Sequence, residues 1–151
     1  MPLPPLLMRP AWRHGSQTPW GGKRLKEVFG KDAPDETAGE SLEVSCVPGL
    51  ESRCADGRSL PELIRRYGQA LTGTSFQGDF PLLLKLLDAR EALSVQVHPG
   101  DAYAKAHYGK RGKNEAWVVL DARPGARLIC GFKDGVTREA VARAADGSDA
   151  I

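Results

Sequence analysis

Polar side chains set inside two apolar, β-prone runs are the part of this chain that can do chemistry. The first run, 93–97, leads into His98, and Ser94, Gln96 and His98 alternate with Val95 and Val97. The second, 116–120, follows Lys113 and Glu115 across a polar, Gly-containing loop. A strand sends successive side chains to opposite faces. Ser94, Gln96 and His98 therefore share one face, and Lys113, Glu115, Trp117 and Val119 share another. Two facing strands would aim imidazole, carboxamide, carboxylate and ammonium groups at one point. Such groups are costly to bury unless they are paired or bind a metal. Imidazole and carboxylate donors suit zinc, and also iron, manganese or nickel. A neutral ligand such as Gln96 favours a Lewis-acid site over a purely structural one. The other reading is a hydrogen-bonded His98–Glu115 pair at a barrel mouth. His14 and His107 read as surface residues.

The elements that must position these groups can be read along the chain. The Pro-rich start, 1–10, is expected to be extended. Pro19-Trp20-Gly21-Gly22 predicts a turn with Trp20 anchored on the core. A short helix is expected over 23–30, with Leu25, Val28 and Phe29 as its apolar side. The alternation at 41–47 predicts a half-buried strand. Ser59 and Glu62 have capping-box spacing, and Leu60, Leu63, Ile64, Tyr67 and Leu71 recur at helical intervals, so the clearest helix spans 59–71 with Gly73 as its stop. The run 81–87 is apolar on both faces apart from Lys85, whose stem either packs while its ammonium reaches water or points into a pocket. Asp101 is expected to cap a short helix through His107, 127–132 to form a strand, and Thr137 to cap a last helix through Ala145. The basic loop around Lys105, Lys110, Arg111 and Lys113 reads as solvated surface.

At 151 residues the chain has the length of one domain with a real core. A formal charge of +2 gives no case for nucleic acid, and suits an anionic small substrate. Cys46, Cys54 and Cys130 are odd in number and lack C-x-x-C spacing, which points to reduced thiols and a cytoplasmic protein. The start has no secretion-signal pattern, and no apolar run is long enough to span a membrane.

The strings FPLLLKLLDA at 80–89, LSVQVHPGDAYA at 93–104 and GKNEAWVVLD at 112–121 resemble type I mannose-6-phosphate isomerase (phosphomannose isomerase). Pro19-Trp20-Gly21-Gly22, followed by Leu25, Phe29 and Gly30, resembles that family's opening W-G-G segment. Gly39-Glu40-Ser41 with Glu43-Val44-Ser45 resembles its G-E-x-W-E-I-S strand, with Leu42 where tryptophan is usual. The resemblance covers essentially the whole chain. It implies a mainly β fold, the N-terminal portion of a cupin-type jelly-roll barrel with a few helices. It also implies one zinc ion and the interconversion of mannose 6-phosphate and fructose 6-phosphate.

Carried over by position, Gln96, His98 and Glu115 match the family's first three zinc ligands. Lys113 matches an active-site lysine, a candidate acid/base with phosphate binding as the alternative role. Ser94 and Lys85 match residues lining the same pocket, and Lys85 is the first choice for phosphate contact. Where many relatives have a histidine before the lysine, this chain has Gly112. The family's fourth zinc ligand, a later histidine, and its catalytic arginine find no match, since no histidine follows His107. Residues 1–151 are therefore expected to be an isomerase catalytic domain truncated at its C-terminal side, inactive alone. Two rival readings are a non-catalytic cupin module that binds sugar phosphate or metal, and a half-protein completed by a partner chain. The expected partner is a small sugar phosphate, with no nucleic acid and no membrane; oligomeric state is not legible.

Overall fold

The computed structural model describes residues 3–76 and 78–145, so residues 1 and 2 of the Pro-rich start lie outside it. The chain divides into two compact units, Met1–Leu93 and Ser94–Ile151. All strands among the described residues fall in the first. Its organising strand is β3, Glu40–Val44, flanked by β2 (Ala11–Arg13) and β5 (Leu84–Leu87) in an antiparallel three-stranded sheet. Ala11 pairs with Leu42, Arg13 with Glu40, and Leu42 with Lys85. A bulge between Leu42 and Val44 shifts the register toward Leu84. A second, two-stranded sheet joins β1 (Met8–Arg9) to β4 (Arg53–Cys54).

The sequence predicts a half-buried β3; the structure buries it on both faces, with Ser41 and Leu42 both at 0% exposure. Two-sided burial is tolerable because the polar groups are partnered. The Ser41 hydroxyl donates to Glu43 Oε1 at 2.6 Å, Lys31 donates to Glu43 Oε2 at 2.7 Å, and the Ser52 hydroxyl donates to the Leu42 carbonyl at 2.9 Å. Among the described residues no buried side-chain N or O lacks a partner.

Trp20 does anchor the first unit, and the glycines around it are steric necessities. A Cβ on Gly39 would lie 2.7 Å from both the Thr18 Cβ and the Trp20 ring. A Cβ on Gly21 would lie 2.5 Å from the Thr37 carbonyl oxygen. The Trp20 carbonyl accepts N–H bonds from Arg90 and Glu91, at 3.0 and 3.2 Å, which ties the chain beyond β5 to the same corner. The carboxylate of buried Asp88 accepts the Arg24 N–H at 2.6 Å, at the start of the one-turn helix α1 (Arg24–Glu27).

Helix α2, Leu60–Tyr67, begins as its sequence predicts: Glu62 Oε2 accepts both the N–H and the hydroxyl of Ser59, each at 2.7 Å. It ends four residues earlier than the predicted 59–71, because Gly68 takes φ 51° and ψ −132°, outside the helical region. A further turn, α3 (Gln69–Thr72), follows and stops at left-handed Gly73.

The second unit holds α4 (Asp101–Tyr108) and α5 (Arg138–Ala145). Gly100 precedes α4 in the capping position, and Asp101 accepts the Gly112 N–H at 2.9 Å, so Asp101 closes a loop and does not cap its helix. Thr137 Oγ1 accepts the Ala140 N–H at 3.2 Å, as expected of a cap. The predicted strands at 93–97, 116–120 and 127–132 are not formed. Strand propensity expresses fit to a half-buried pleated surface with paired neighbours, and here Val95, Val97 and Val118 are 73%, 78% and 82% exposed. The described residues show neither a closed barrel nor a helix long and apolar enough to cross a membrane.

The contact at Gly39 yields a direct test. Gly39→Ala should cost about 1–3 kcal/mol by overpacking, read from urea unfolding. A midpoint equal to that of the parent chain would show that Trp20 is not wedged against this glycine.

Candidate functional site

Three predicted site residues come together in the second unit. His98 Nε2 lies 3.2 Å from Glu115 Oε2, Lys113 Nζ lies 3.0 Å from the same His98 nitrogen, and Lys113 Nζ lies 2.9 Å from Glu115 Oε1. No strand carries them. Two contacts draw the ends of the α4 loop together: the Lys113 N–H donates to the Pro99 carbonyl at 3.2 Å, and the Gly112 N–H donates to the Asp101 carboxylate at 2.9 Å. These bonds bring residue 113 back beside residue 98.

Gly112 explains itself in this geometry. A Cβ there would stand 2.5 Å from the Pro99 carbonyl oxygen and 2.6 Å from the Asp101 nitrogen. The closure that places Lys113 leaves no room for a side chain at the preceding position.

Gln96 and Ser94 pair with each other, the carboxamide Nε2 donating to the hydroxyl at 3.0 Å. Lys85, in the first unit, donates from Nζ to Glu40 Oε1 at 2.9 Å, and Arg13 donates from a guanidinium nitrogen to Glu40 Oε2 at 3.1 Å. Sequence reasoning missed Glu40 and Arg13. Period-two alternation gave a signal for Glu40, which shares a strand face with Leu42, but the cross-strand register that brings Arg13 and Lys85 to it has no local signature. Trp117 was expected on the Glu115 face, and its indole does bond the Glu115 carboxylate.

Burial pushes the Glu115 carboxyl up, but hydrogen bonds from Lys113, Trp117 and His98 together with the Lys113 charge outweigh it and hold the group at about 2. Glu115 is thus a carboxylate at any ordinary pH. The single nitrogen His98 Nε2 faces both an ammonium and a carboxylate oxygen, and cannot suit both. Protonated, it would meet the Lys113 ammonium; bare, it sets a lone pair beside the Glu115 oxygen. With Nε2 bare, the Lys113 ammonium is the cation that both groups face. Donors bound to one tetrahedral zinc at about 2.0–2.1 Å stand roughly 3.3 Å apart, close to the His98–Glu115 separation. The donor types of His98 and Glu115 are ones a metal ion can use, whereas the Gln96 carboxamide is paired with Ser94 and makes no contact with either that the structure shows. No group of three or more His, Cys, Asp and Glu side chains suited to a metal occurs among the described residues.

Residues 13–120 match the family described as phosphomannose isomerase type I, catalytic domain. The chain is similar to the mannose-6-phosphate isomerase of Streptococcus mutans, 45% identical over 118 residues that take in 76% of this chain and 37% of that one. It is similar to the mannose-6-phosphate isomerase ManA of Bacillus subtilis, 36% identical over 145 residues, 92% of this chain and 44% of that one. A crystal structure of the mannose 6-phosphate isomerase from Bacillus subtilis matches with a TM-score of 0.64 at 34% identity, covering 73% of this chain and 35% of that one. The chain spans less than half the length of these relatives.

The Glu115 environment has a measurable consequence. Its carboxyl should titrate near 2 in the folded chain, below its ordinary 4.5. The stability it contributes is then present above pH 4.5 and is lost as pH falls toward 2. Lys113→Met should move this titration upward, as followed by carboxyl carbon chemical shifts; an unmoved titration would show that Lys113 does not hold the carboxylate.

Proposed function

The chain belongs to the phosphomannose isomerase type I family, and from that premise we propose that it carries part of a zinc-dependent aldose–ketose isomerase that interconverts mannose 6-phosphate and fructose 6-phosphate. The observation that supports this best is the convergence of His98, Lys113 and Glu115, within 3.2 Å of one another, at positions that resemble the family's site. On this reading residues 1–151 are the N-terminal portion of a cupin-type jelly roll, and the unformed strands at 93–97 and 116–120 are segments whose pairing partners lie elsewhere in the complete barrel.

Gln96, His98 and Glu115 would hold the ion. Bound zinc would supply Lewis-acid polarisation of the sugar carbonyl. Glu115, charged at any ordinary pH, would offer a hard anionic donor, and His98 an imidazole nitrogen. Isomerisation moves a proton between C1 and C2, and Lys113 is the group we assign to it. A lysine beside a cation loses some preference for its proton and can then act as an acid/base. The neighbouring position cannot take over that task, since Gly112 has no space for an imidazole. Ser94 is assigned to a substrate hydroxyl and Lys85 to the phosphate. The free thiols of Cys46, Cys54 and Cys130 support a cytoplasmic setting.

Activity is proposed to need more than these residues. A zinc site short of its fourth protein donor binds weakly. One missing oxyanion-type donor typically costs about 10²–10³ in rate. The exposed apolar residues of the second unit, such as Val118 and Ile129, favour association.

Three measurements on the 151-residue chain test this. Zinc should bind at one site per chain in equilibrium dialysis, and His98→Ala should abolish it. A coupled assay with added zinc should give little turnover, and light scattering should show self-association. Retention of zinc by His98→Ala would remove the proposed site. Turnover by a monomer on the order of 10 per second would show that the chain completes its own site.

A further inference from the structure

The two glutamate carboxylates of β3 are balanced differently. On one face Glu43 pairs with a single cation, Lys31, and its other oxygen accepts the Ser41 hydroxyl. On the opposite face Glu40 holds two cations, Lys85 at 2.9 Å and Arg13 at 3.1 Å, one on each oxygen. Cross-strand register brings them there: Arg13 is opposite Glu40, and Lys85 is opposite Leu42 on the same face. The carboxylate lies beneath its cations. Its side chain is 8% exposed, against 16% for Lys85 and 39% for Arg13.

One carboxylate neutralises one cation, so this cluster carries an excess positive charge on a partly buried sheet face. Uncompensated charge in such a place is costly, and an anion would relieve it. Each cation also meets Glu40 through only one nitrogen. A guanidinium has five N–H donors and an ammonium three, so both retain donors for a second acceptor. Because they bond the two oxygens of one carboxylate, they are neighbours on one sheet face, where a phosphate could accept from each through separate oxygens. Paired N–H donors with fixed charge are the usual means of recognising such a dianion.

We propose that Arg13 and Lys85, gathered on Glu40, form a binding subsite for a phosphomonoester dianion, with Arg13 as a phosphate contact alongside Lys85. The proposal rests on the assignment of Lys85 to the substrate phosphate in the preceding subsection and adds Arg13 to it.

The test is titration of the full chain with inorganic phosphate, mannose 6-phosphate and mannose, followed by amide and arginine side-chain resonances. Phosphate and mannose 6-phosphate should both give saturable shifts centred on residues 11–13, 40–42 and 84–87, and mannose should give none. Tighter binding of mannose 6-phosphate would make the sugar phosphate the preferred ligand; equal binding would make the phosphoryl group the whole of it, and both support the subsite. Arg13→Met should weaken phosphate binding on the order of ten-fold, the worth of one charge-assisted hydrogen bond, and Arg13→Lys should restore part of it. A folded Arg13→Met chain that binds phosphate as the parent does would overturn the subsite. The parent's own Arg13 side-chain resonance gives a reading free of any folding defect, and its failure to shift with phosphate would also overturn the proposal. Phosphate binding requires neither metal nor turnover. Loss of the isomerase reading by the zinc and turnover measurements therefore leaves this result standing, and the reverse also holds.

Discussion

A strand buried on both faces must satisfy every polar group it carries, and the first unit is built around meeting that demand for β3. Its backbone is paired on each side by β2 and β5. Its glutamates recruit Arg13, Lys31 and Lys85, and the Leu42 carbonyl accepts from Ser52. Leaving a buried charge unpaired costs several kcal/mol, so these contacts fix the register as firmly as the apolar contacts of Leu42 do. The close approach of Trp20 to Gly39 follows from the same crowding. A corner this tight has room for hydrogen atoms only at the glycine positions.

The second unit achieves its geometry by other means. His98, Lys113 and Glu115 converge because a loop closes, through the Pro99 carbonyl and the Asp101 carboxylate, with Gly112 lying flush against the backbone. The outcome is a carboxylate held fully ionised and an imidazole nitrogen shared between opposite charges. The Lys113 ammonium bridges the two, 3.0 Å from His98 Nε2 and 2.9 Å from Glu115 Oε1. The two units thus show contrasting electrostatics. In the second unit one ammonium, Lys113, is shared by His98 and Glu115; in the first unit one carboxylate, Glu40, is shared by Arg13 and Lys85.

The sequence by itself determined the elements whose causes are local. The Ser59–Glu62 box started its helix, Thr137 capped the last one, Gly73 ended a turn, and Trp20 with its glycines formed a corner. The sequence also singled out His98, Lys113 and Glu115, but what gathers them is a closed loop and not the strand alternation expected of them, and Gln96 pairs with Ser94 instead. What only tertiary structure decided were the features that depend on distant partners. Whether 93–97 and 116–120 form strands depends on neighbours to pair with, and no propensity supplies them. That β3 is buried on both faces, and that Glu40 collects Arg13 from 27 residues away and Lys85 from 45, depends on sheet register. Register is a long-range choice among alternatives that look alike locally, which is why the sequence named Lys85 as unusual but only the fold showed what it is bound to.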